Sequence, residues 1–171
     1  LDGIKNAGYS GIGLFGNTKH LIINPETAEE DGRKLQDLLT KRNLKIFSYT
    51  PRFNIENSLK EITDSHIPVM QVLQKIGCPR ILVMGTNKEE LYPKYYELMK
   101  YYSDTAQQYN IQIVLKPHGG ISSSGALCVE AVKKVGSDNF RICYDPTNIF
   151  YYDGYDPVEE LKVCVEYVTA M

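Results

Sequence analysis

Residues 109–120, YNIQIVLKPHGG, and residues 135–148, VGSDNFRICYDPTN, carry the pattern that decides the fold. The first stretch has Asn110 near its start and the second has Gly136. Both residue types tolerate the left-handed conformation that ends a helix. A short and nearly continuous apolar run follows, which is typical of a strand covered on both faces. Polar side chains come next. The two runs begin about 30 residues apart, the size of one strand-and-helix unit of a parallel sheet.

The same pattern recurs upstream, so the whole chain is an alternation of strands and helices. Strands are predicted at residues 9–14, 44–49, 80–84, 111–115 and 140–144. Apolar residues at helical spacing predict helices at residues 25–41, 68–76, 88–109, 124–135 and 157–170. Strands that alternate with helices form parallel sheets with right-handed crossovers. The sequence therefore predicts an α/β fold.

The length decides between a barrel and an open sheet. A complete eight-unit barrel needs about 250 residues, whereas this chain has 171. Residues 1–7 resemble the last turns of a helix, and residue 171 lies within the final predicted helix. We therefore predict one domain, residues 1–171, that covers roughly strands 2 to 6 of a longer (β/α)8 TIM barrel and is truncated at both ends. An open five-stranded sheet is the alternative.

Composition excludes several classes of partner. The chain has 19 basic and 21 acidic side chains and a net charge of −2, which argues against nucleic acid and anionic membranes. Its apolar runs are shorter than the ~20 residues that span a bilayer. The cysteines form no C-x-x-C pair, so we expect reduced thiols and a cytoplasmic location. The 13 tyrosines offer surface for a polar ligand or a second subunit, hence an expected homo-oligomer.

The carboxyl ends of the predicted strands hold the candidate site, because ligands bind there in parallel α/β folds. Lys116 and His118 follow the fourth predicted strand, and Asp145 and Asn148 follow the fifth. An unpaired buried carboxylate is costly, so Asp145 needs a cationic partner, a metal or water. Lys116 and Asp145 either form an ion pair that only closes the barrel mouth or face a substrate. In the second case His118 and Asn148 are substrate-binding groups.

Two further residues could reach the same region from the second strand. Tyr49 and Arg52 lie at and just after its end, and we expect them to contact substrate. His20 and His66 lie in polar surroundings and are predicted to be surface residues.

Five segments, taken in chain order, resemble the xylose-isomerase-like TIM barrels. This superfamily includes sugar phosphate isomerases/epimerases, ketose 3-epimerases and the endonuclease IV group. The segments are GYSGIGL at 8–14, IGCPRILVMG at 76–85, NIQIVLKPHGG at 110–120, FRICYDPTN at 140–148 and GYDP at 154–157. The endonuclease branch fits poorly, because it demands a His-rich metal cluster and the chain has three His.

The resemblance implies a divalent metal (Mn, Mg, Zn or Co) at the barrel mouth. The family holds it with a Glu on strand five, an Asp on strand six, and a His and a Glu on later strands. Asp145 stands at the position of the Asp, and Asn148 stands where the family often has a substrate-contacting His. Lys116 replaces the Glu, which is a departure with chemical consequences, because an ammonium repels a divalent cation a few Å away.

Three outcomes of that replacement are open. In the first, Lys116 takes the place of the metal and stabilises an enediolate or alkoxide beside Asp145. In the second, Lys116 loses its proton and acts as a base or forms a Schiff base. In the third, the site binds sugar without catalysis. A metal held elsewhere, for instance by His118 with Asp145, is a further alternative. The resemblance implies a sugar or sugar-phosphate isomerase or epimerase with altered chemistry. A lysine-dependent lyase or aldolase and a catalytically silent sugar-binding protein are the alternatives.

Overall fold

A computed structural model describes residues 1–16, 23–52 and 54–171. Its strands are β1 (Gly11–Phe15), β2 (Lys45–Thr50), β3 (Arg80–Met84), β4 (Gln112–Lys116), β5 (Phe140–Cys143) and β6 (Val168–Ala170). Its α-helices are α1 (Asp2–Asn6), α2 (Ala28–Thr40), α3 (Leu59–Lys75), α4 (Tyr92–Gln107), α5 (Gly125–Val135), α6 (Pro146–Asp153) and α7 (Pro157–Cys164). Single 3-10 turns cover Glu89–Leu91, Gly120–Ser122 and Val165–Tyr167. The alternation predicted from the sequence is confirmed.

The chain divides into two compact units, and the first comprises residues 1–81 and 108–111. Here β1, β2 and the start of β3 are neighbours in a parallel arrangement. Helices α2 and α3 contact each other at Gly32, where an added Cβ would lie 2.3 Å from Cγ1 of Val72. The absence of a side chain at this position lets the two helices approach closely.

The second unit comprises residues 82–107 and 112–171 and contains the rest of β3 with β4, β5 and β6 in order. The strand pairs β4–β5 and β5–β6 are parallel. Ile113 and Leu115 of β4 and Phe140 and Ile142 of β5 are fully buried, as expected for strands covered on both faces. The shared direction of β4 and β5 brings their carboxyl ends, and the polar residues that follow, to the same edge.

Helix α3 begins earlier than its predicted start at residue 68. Ser58 caps it, accepting a hydrogen bond from the backbone N–H of Glu61, whose side chain returns to Ser58. This capping box outweighs the preference of proline for a first turn, so Pro68 lies inside the helix. His66 therefore faces the core and is 7% exposed. The prediction that it is a surface residue is wrong, whereas His20 lies outside the described residues.

The last predicted helix is also shorter than expected. Helix α7 ends at Cys164, and the chain then forms β6 alongside β5. The backbone N–H of Tyr144 donates to the carbonyl of Ala170 at 2.8 Å. The β-branched residues Val168 and Thr169 favour the strand. The structure thus adds a sixth parallel strand to the five predicted, and residue 171 follows a strand instead of lying in a helix.

The thiols and the helix lengths agree with the composition. All four cysteines are free thiols, and Cys78, Cys128 and Cys164 are buried. Among the described residues, every helix is too short or too polar to traverse a lipid bilayer. The cytoplasmic location and the homo-oligomer stay predictions.

Candidate functional site

An ion pair between the ends of β4 and β5, one of the two arrangements that the sequence left open, is present. Lys116 is the last residue of β4, and Asp145 follows β5 by two residues. The register pairs Leu115 with Ile142, so Asp145 lies two residues beyond the position opposite Lys116, within reach of its long side chain. Lys116 Nζ lies 2.9 Å from Asp145 Oδ2, and the side chains are 28% and 23% exposed. The pair is thus accessible to a ligand while being partly shielded from bulk water.

Asp145 is held in place by the helix that it starts. It is the N-cap of α6, its Oδ1 accepts the backbone N–H of Asn148 at 2.9 Å, and Pro146 occupies the first turn. Burial acts to raise the pKa of Asp145. The hydrogen bond from Asn148 and the Lys116 ammonium outweigh burial, so that the pKa of this carboxyl lies below its ordinary value. Asp145 is therefore an anion at neutral pH.

His118 and Asn148 contact each other above the ion pair. The side-chain nitrogen Nδ2 of Asn148 donates to the carbonyl of Pro117 at 2.7 Å and lies 3.3 Å from His118 Nδ1. Because an amide nitrogen can only donate, Nδ1 of His118 is the acceptor and the proton of the neutral ring is on Nε2. Burial, aided by the Lys116 charge and opposed by Asp145, lowers the pKa of His118. The neutral ring thus presents an N–H donor.

The Gly119–Gly120 segment approaches protein backbone closely. Gly120 has φ of +52°, and a Cβ there would lie 2.4 Å from the carbonyl oxygen of Thr86. The buried Ser122 hydroxyl accepts the backbone N–H of His118 at 3.2 Å and lies 3.2 Å from the carbonyl of Gly119. These contacts fix the loop that holds His118.

Tyr152 also belongs to this site, although the sequence analysis did not identify it. Its hydroxyl lies 3.1 Å from both ring nitrogens of His118, and the two rings meet edge to face with centroids 5.0 Å apart. The signal was present in the sequence: Asp145 followed by Pro146 predicts a helix start. A helix from that point places residue 152 one turn beyond Asn148, on the same face.

Tyr49 and Arg52 belong to the first unit, whereas the four residues above belong to the second. Tyr49 is 4% exposed, and its hydroxyl donates to the carbonyl of Ile23 at 3.3 Å. Burial raises the pKa of Tyr49 to about 12. Arg52 is exposed two residues beyond β2. A substrate contact by either residue stays a prediction.

The donor set around Asp145 does not fit a divalent cation. One of its oxygens faces the Lys116 ammonium, and the other accepts a backbone N–H. Within the described part of the chain, three or more His, Cys, Asp or Glu side chains do not come together in an arrangement suited to a metal. A cation here would have to displace an ammonium that repels it.

A protein-family model matches the entire sequence. It is described as "Xylose isomerase-like TIM barrel" and covers residues 1–171. No curated protein sequence is significantly similar to the chain.

Solved structures share the fold at low sequence identity. D-psicose 3-epimerase from Clostridium cellulolyticum H10, solved with D-tagatose, is 10% identical with a TM-score of 0.77. The match covers 98% of this chain and 63% of the epimerase chain. The probable 3-DHS dehydratase of petrobactin synthesis from Bacillus anthracis is 14% identical with a TM-score of 0.75. The match covers 96% of this chain and 62% of the dehydratase chain. A xylose isomerase-like TIM barrel protein from Mycobacterium smegmatis in complex with magnesium is 14% identical with a TM-score of 0.75. The match covers 96% of this chain and 61% of the Mycobacterium chain. The chain thus spans less than two thirds of these proteins and forms a partial barrel.

Proposed function

The chain belongs to the xylose isomerase-like TIM barrel family, and from that premise we propose that it carries the site of a sugar isomerase or epimerase with altered chemistry. The observation that supports this most is the Lys116–Asp145 pair, 2.9 Å apart at the carboxyl ends of two adjacent strands. It offers a cation and a carboxylate where parallel α/β enzymes bind substrate. Sugar epimerases are among the proteins that share the fold.

The proposed reaction moves a proton between adjacent carbons. Asp145 takes the proton from the carbon next to the carbonyl, and the electron pair moves into an enediolate whose negative oxygen is stabilised by the Lys116 ammonium. The carboxyl then returns the proton to the neighbouring carbon while the hydroxyl proton of the enediolate passes to the former carbonyl oxygen, which gives the isomer; return of the proton to the opposite face of the original carbon gives the epimer. Either outcome regenerates the Asp145–Lys116 pair. The lowered pKa of Asp145 makes it a weak base, so the charge on Lys116 has to lower the energy of the enediolate.

His118 and Asn148 orient the substrate in this proposal. The Nε2–H of the neutral His118 ring donates to a sugar oxygen, while Asn148 keeps the ring in place through Nδ1. Because Asn148 also donates to the carbonyl of Pro117, it connects the loop after β4 to helix α6. The family metal has no role in these steps, because the donor set around Asp145 does not fit it.

A lysine-dependent lyase is the second candidate function. The structural likeness to a probable dehydratase favours it, since eliminating water next to a carbonyl begins with the same proton abstraction. In that case the neutral amine of Lys116 condenses with the substrate carbonyl to a Schiff base and releases water. Asp145 takes the proton from the α-carbon and gives it to the hydroxyl on the β-carbon, which leaves as water, and hydrolysis of the Schiff base frees Lys116.

The test uses the full-length protein and a panel of ketoses and ketose phosphates, with products followed by NMR. We expect a new isomer or epimer with the wild type and at least about a hundredfold loss with Lys116→Met or Asp145→Asn, since electrostatic stabilisation by one group is worth about 10²–10³ in rate. Lys162→Met is the matched control, because Lys162 forms an exposed ion pair with Glu159. Sodium borohydride trapping of a ketose on Lys116 favours the lyase. Binding without turnover, unchanged in Lys116→Met, contradicts both enzymatic candidates.

A further inference from the structure

Two tyrosines extend the site along one face of helix α6. Tyr151 and Tyr152 follow Asn148 by three and four residues, which in a helix puts all three on the same side. Because Asp145 caps this helix, the tyrosines are fixed relative to the ion pair. Their exposed fractions are 75% and 37%, so Tyr151 is largely, and Tyr152 partly, in contact with water.

The rings form a row that begins at His118. Tyr152 meets His118 edge to face at 5.0 Å, and Tyr151 meets Tyr152 edge to face at 5.2 Å with an interplanar angle of 87°. Gly119 leaves room for this row, since a Cβ there would lie 3.3 Å from Cδ1 of Tyr152. The aromatic surface is therefore continuous with the groups proposed to bind substrate.

The chemistry of this surface suits a sugar ring. A pyranose has a flat face of C–H groups and a rim of hydroxyls, and an aromatic ring offers a flat apolar face with, in tyrosine, a polar edge. We propose that Tyr151 and Tyr152 form a stacking subsite for a sugar in its ring form, so that the ligand is a cyclic sugar with a free anomeric centre, which lies against the tyrosines and opens before its carbonyl reaches the Lys116–Asp145 pair. This inference rests on the proposed function and specifies its substrate class.

The neighbouring charges favour a sugar over a second copy of the chain. The centres of protein–protein interfaces are depleted of charged residues, whereas this face is adjacent to Lys116, Asp145 and a polar imidazole. Sugar-binding groups combine flat apolar surface with hydrogen-bonding side chains, as found here.

Phe150 supplies a matched control. It is an aromatic residue on the same helix and is 65% exposed. It follows Asn148 by two residues, so helical geometry places it about 200° around the helix from Asn148 and about 100° from Tyr151. Removing either ring takes a similar exposed group from α6, but only Tyr151 lies in the proposed subsite.

The experiment titrates the full-length protein with methyl β-D-glucopyranoside, methyl β-D-galactopyranoside and methyl α-D-mannopyranoside, whose rings cannot open. Sorbitol is the open-chain comparison, and dissociation constants come from NMR saturation transfer. We expect at least one glycoside to bind better than sorbitol. Tyr151→Ala should weaken that binding about threefold to tenfold, while Tyr151→Phe and Phe150→Ala stay within about twofold of the wild type. Circular dichroism confirms that each variant is folded.

The subsite is overturned if no glycoside binds, or if Tyr151→Ala binds glycoside as tightly as the wild type does. It is also overturned if Phe150→Ala weakens binding as much as Tyr151→Ala, or if Tyr151→Ala dissociates a dimer in sedimentation. The last result identifies the surface as an interface between copies. Lys116→Met separates this inference from the proposed function. Glycoside binding that needs Tyr151 supports the subsite, and binding that does not need Tyr151 overturns it. Ketose turnover that is unchanged in Lys116→Met contradicts the proposed function and leaves the subsite standing.

Discussion

Replacing Lys116 and Asp145 singly and together measures how strongly the two charges stabilise each other. Lys116→Met keeps the aliphatic stem and removes the charge. Asp145→Asn removes the other charge and keeps an N-cap residue for α6, because asparagine caps as well as aspartate. The comparison therefore isolates the ion pair from the helix cap that the same carboxylate provides.

The expected magnitude follows from the partial burial of the pair. Exposed ion pairs contribute about 0–1 kcal/mol, whereas removing one partner of a buried pair costs about 3–5 kcal/mol. With side chains 28% and 23% exposed, each single variant should lose about 1–3 kcal/mol in the free energy of unfolding. The double variant should lose about 1–2 kcal/mol less than the sum of the two, because it leaves no unpaired charge.

The assay is urea unfolding of the full-length protein, followed by circular dichroism, for the four members of the cycle. The exposed pair between Lys162 and Glu159 provides a second cycle, for which we expect a coupling of about 0–0.5 kcal/mol. A Lys116–Asp145 coupling as small as that of the control pair would refute the reasoning, since the two charges would then not be shielded from water.

Three other changes test the fold and the site. Gly32→Ala should lower the free energy of unfolding in urea by about 1–3 kcal/mol, because its Cβ would lie 2.3 Å from Cγ1 of Val72. If adding Val72→Ala to Gly32→Ala restores none of this stability, the contact between the helices is not the cause. Ser58→Ala should cost about 1 kcal/mol through loss of the capping box, and an equal loss in Ser65→Ala, within the same helix, would contradict this. The pKa of Asp145 is lowered in the folded protein, so its charge stabilises the fold above the ordinary carboxyl pKa of about 4 and this contribution is lost as the pH falls below it. Between pH 6 and pH 3 the wild type should therefore lose more stability than Asp145→Asn, and parallel curves would exclude this contribution.

The strands could be predicted closely from the sequence because their apolar runs are short and end in polar residues. β3 begins and ends where the sequence placed it, and β4 and β5 agree within one residue at each end. The strand ends in turn located Lys116 and Asp145, since parallel strands bring their carboxyl ends to one edge. The closeness of Lys116 and Asp145 was thus predictable before any coordinates, whereas the sequence left open whether they form an ion pair.

The remaining features depend on competing local signals and on packing. Pro68 suggested a helix start that the capping box at Ser58 overrides, and the burial of His66 follows from that earlier start. β6 needs its partner β5 to form, so the segment at Val168–Ala170 looked like a continuation of a helix. Tyr152 was missed because its place in the site depends on α6, which positions it one turn beyond Asn148.

The most direct test of the account is the exchange of carbon-bound hydrogen with solvent. The full-length protein is incubated in D2O with each ketose of the panel, and NMR follows deuterium entering the position next to the carbonyl. The account predicts incorporation with the wild type and with Lys162→Met, and at least about a hundredfold slower incorporation with Lys116→Met. Equal rates of incorporation in Lys116→Met and the wild type would contradict the claim that the Lys116–Asp145 pair performs the proton transfer.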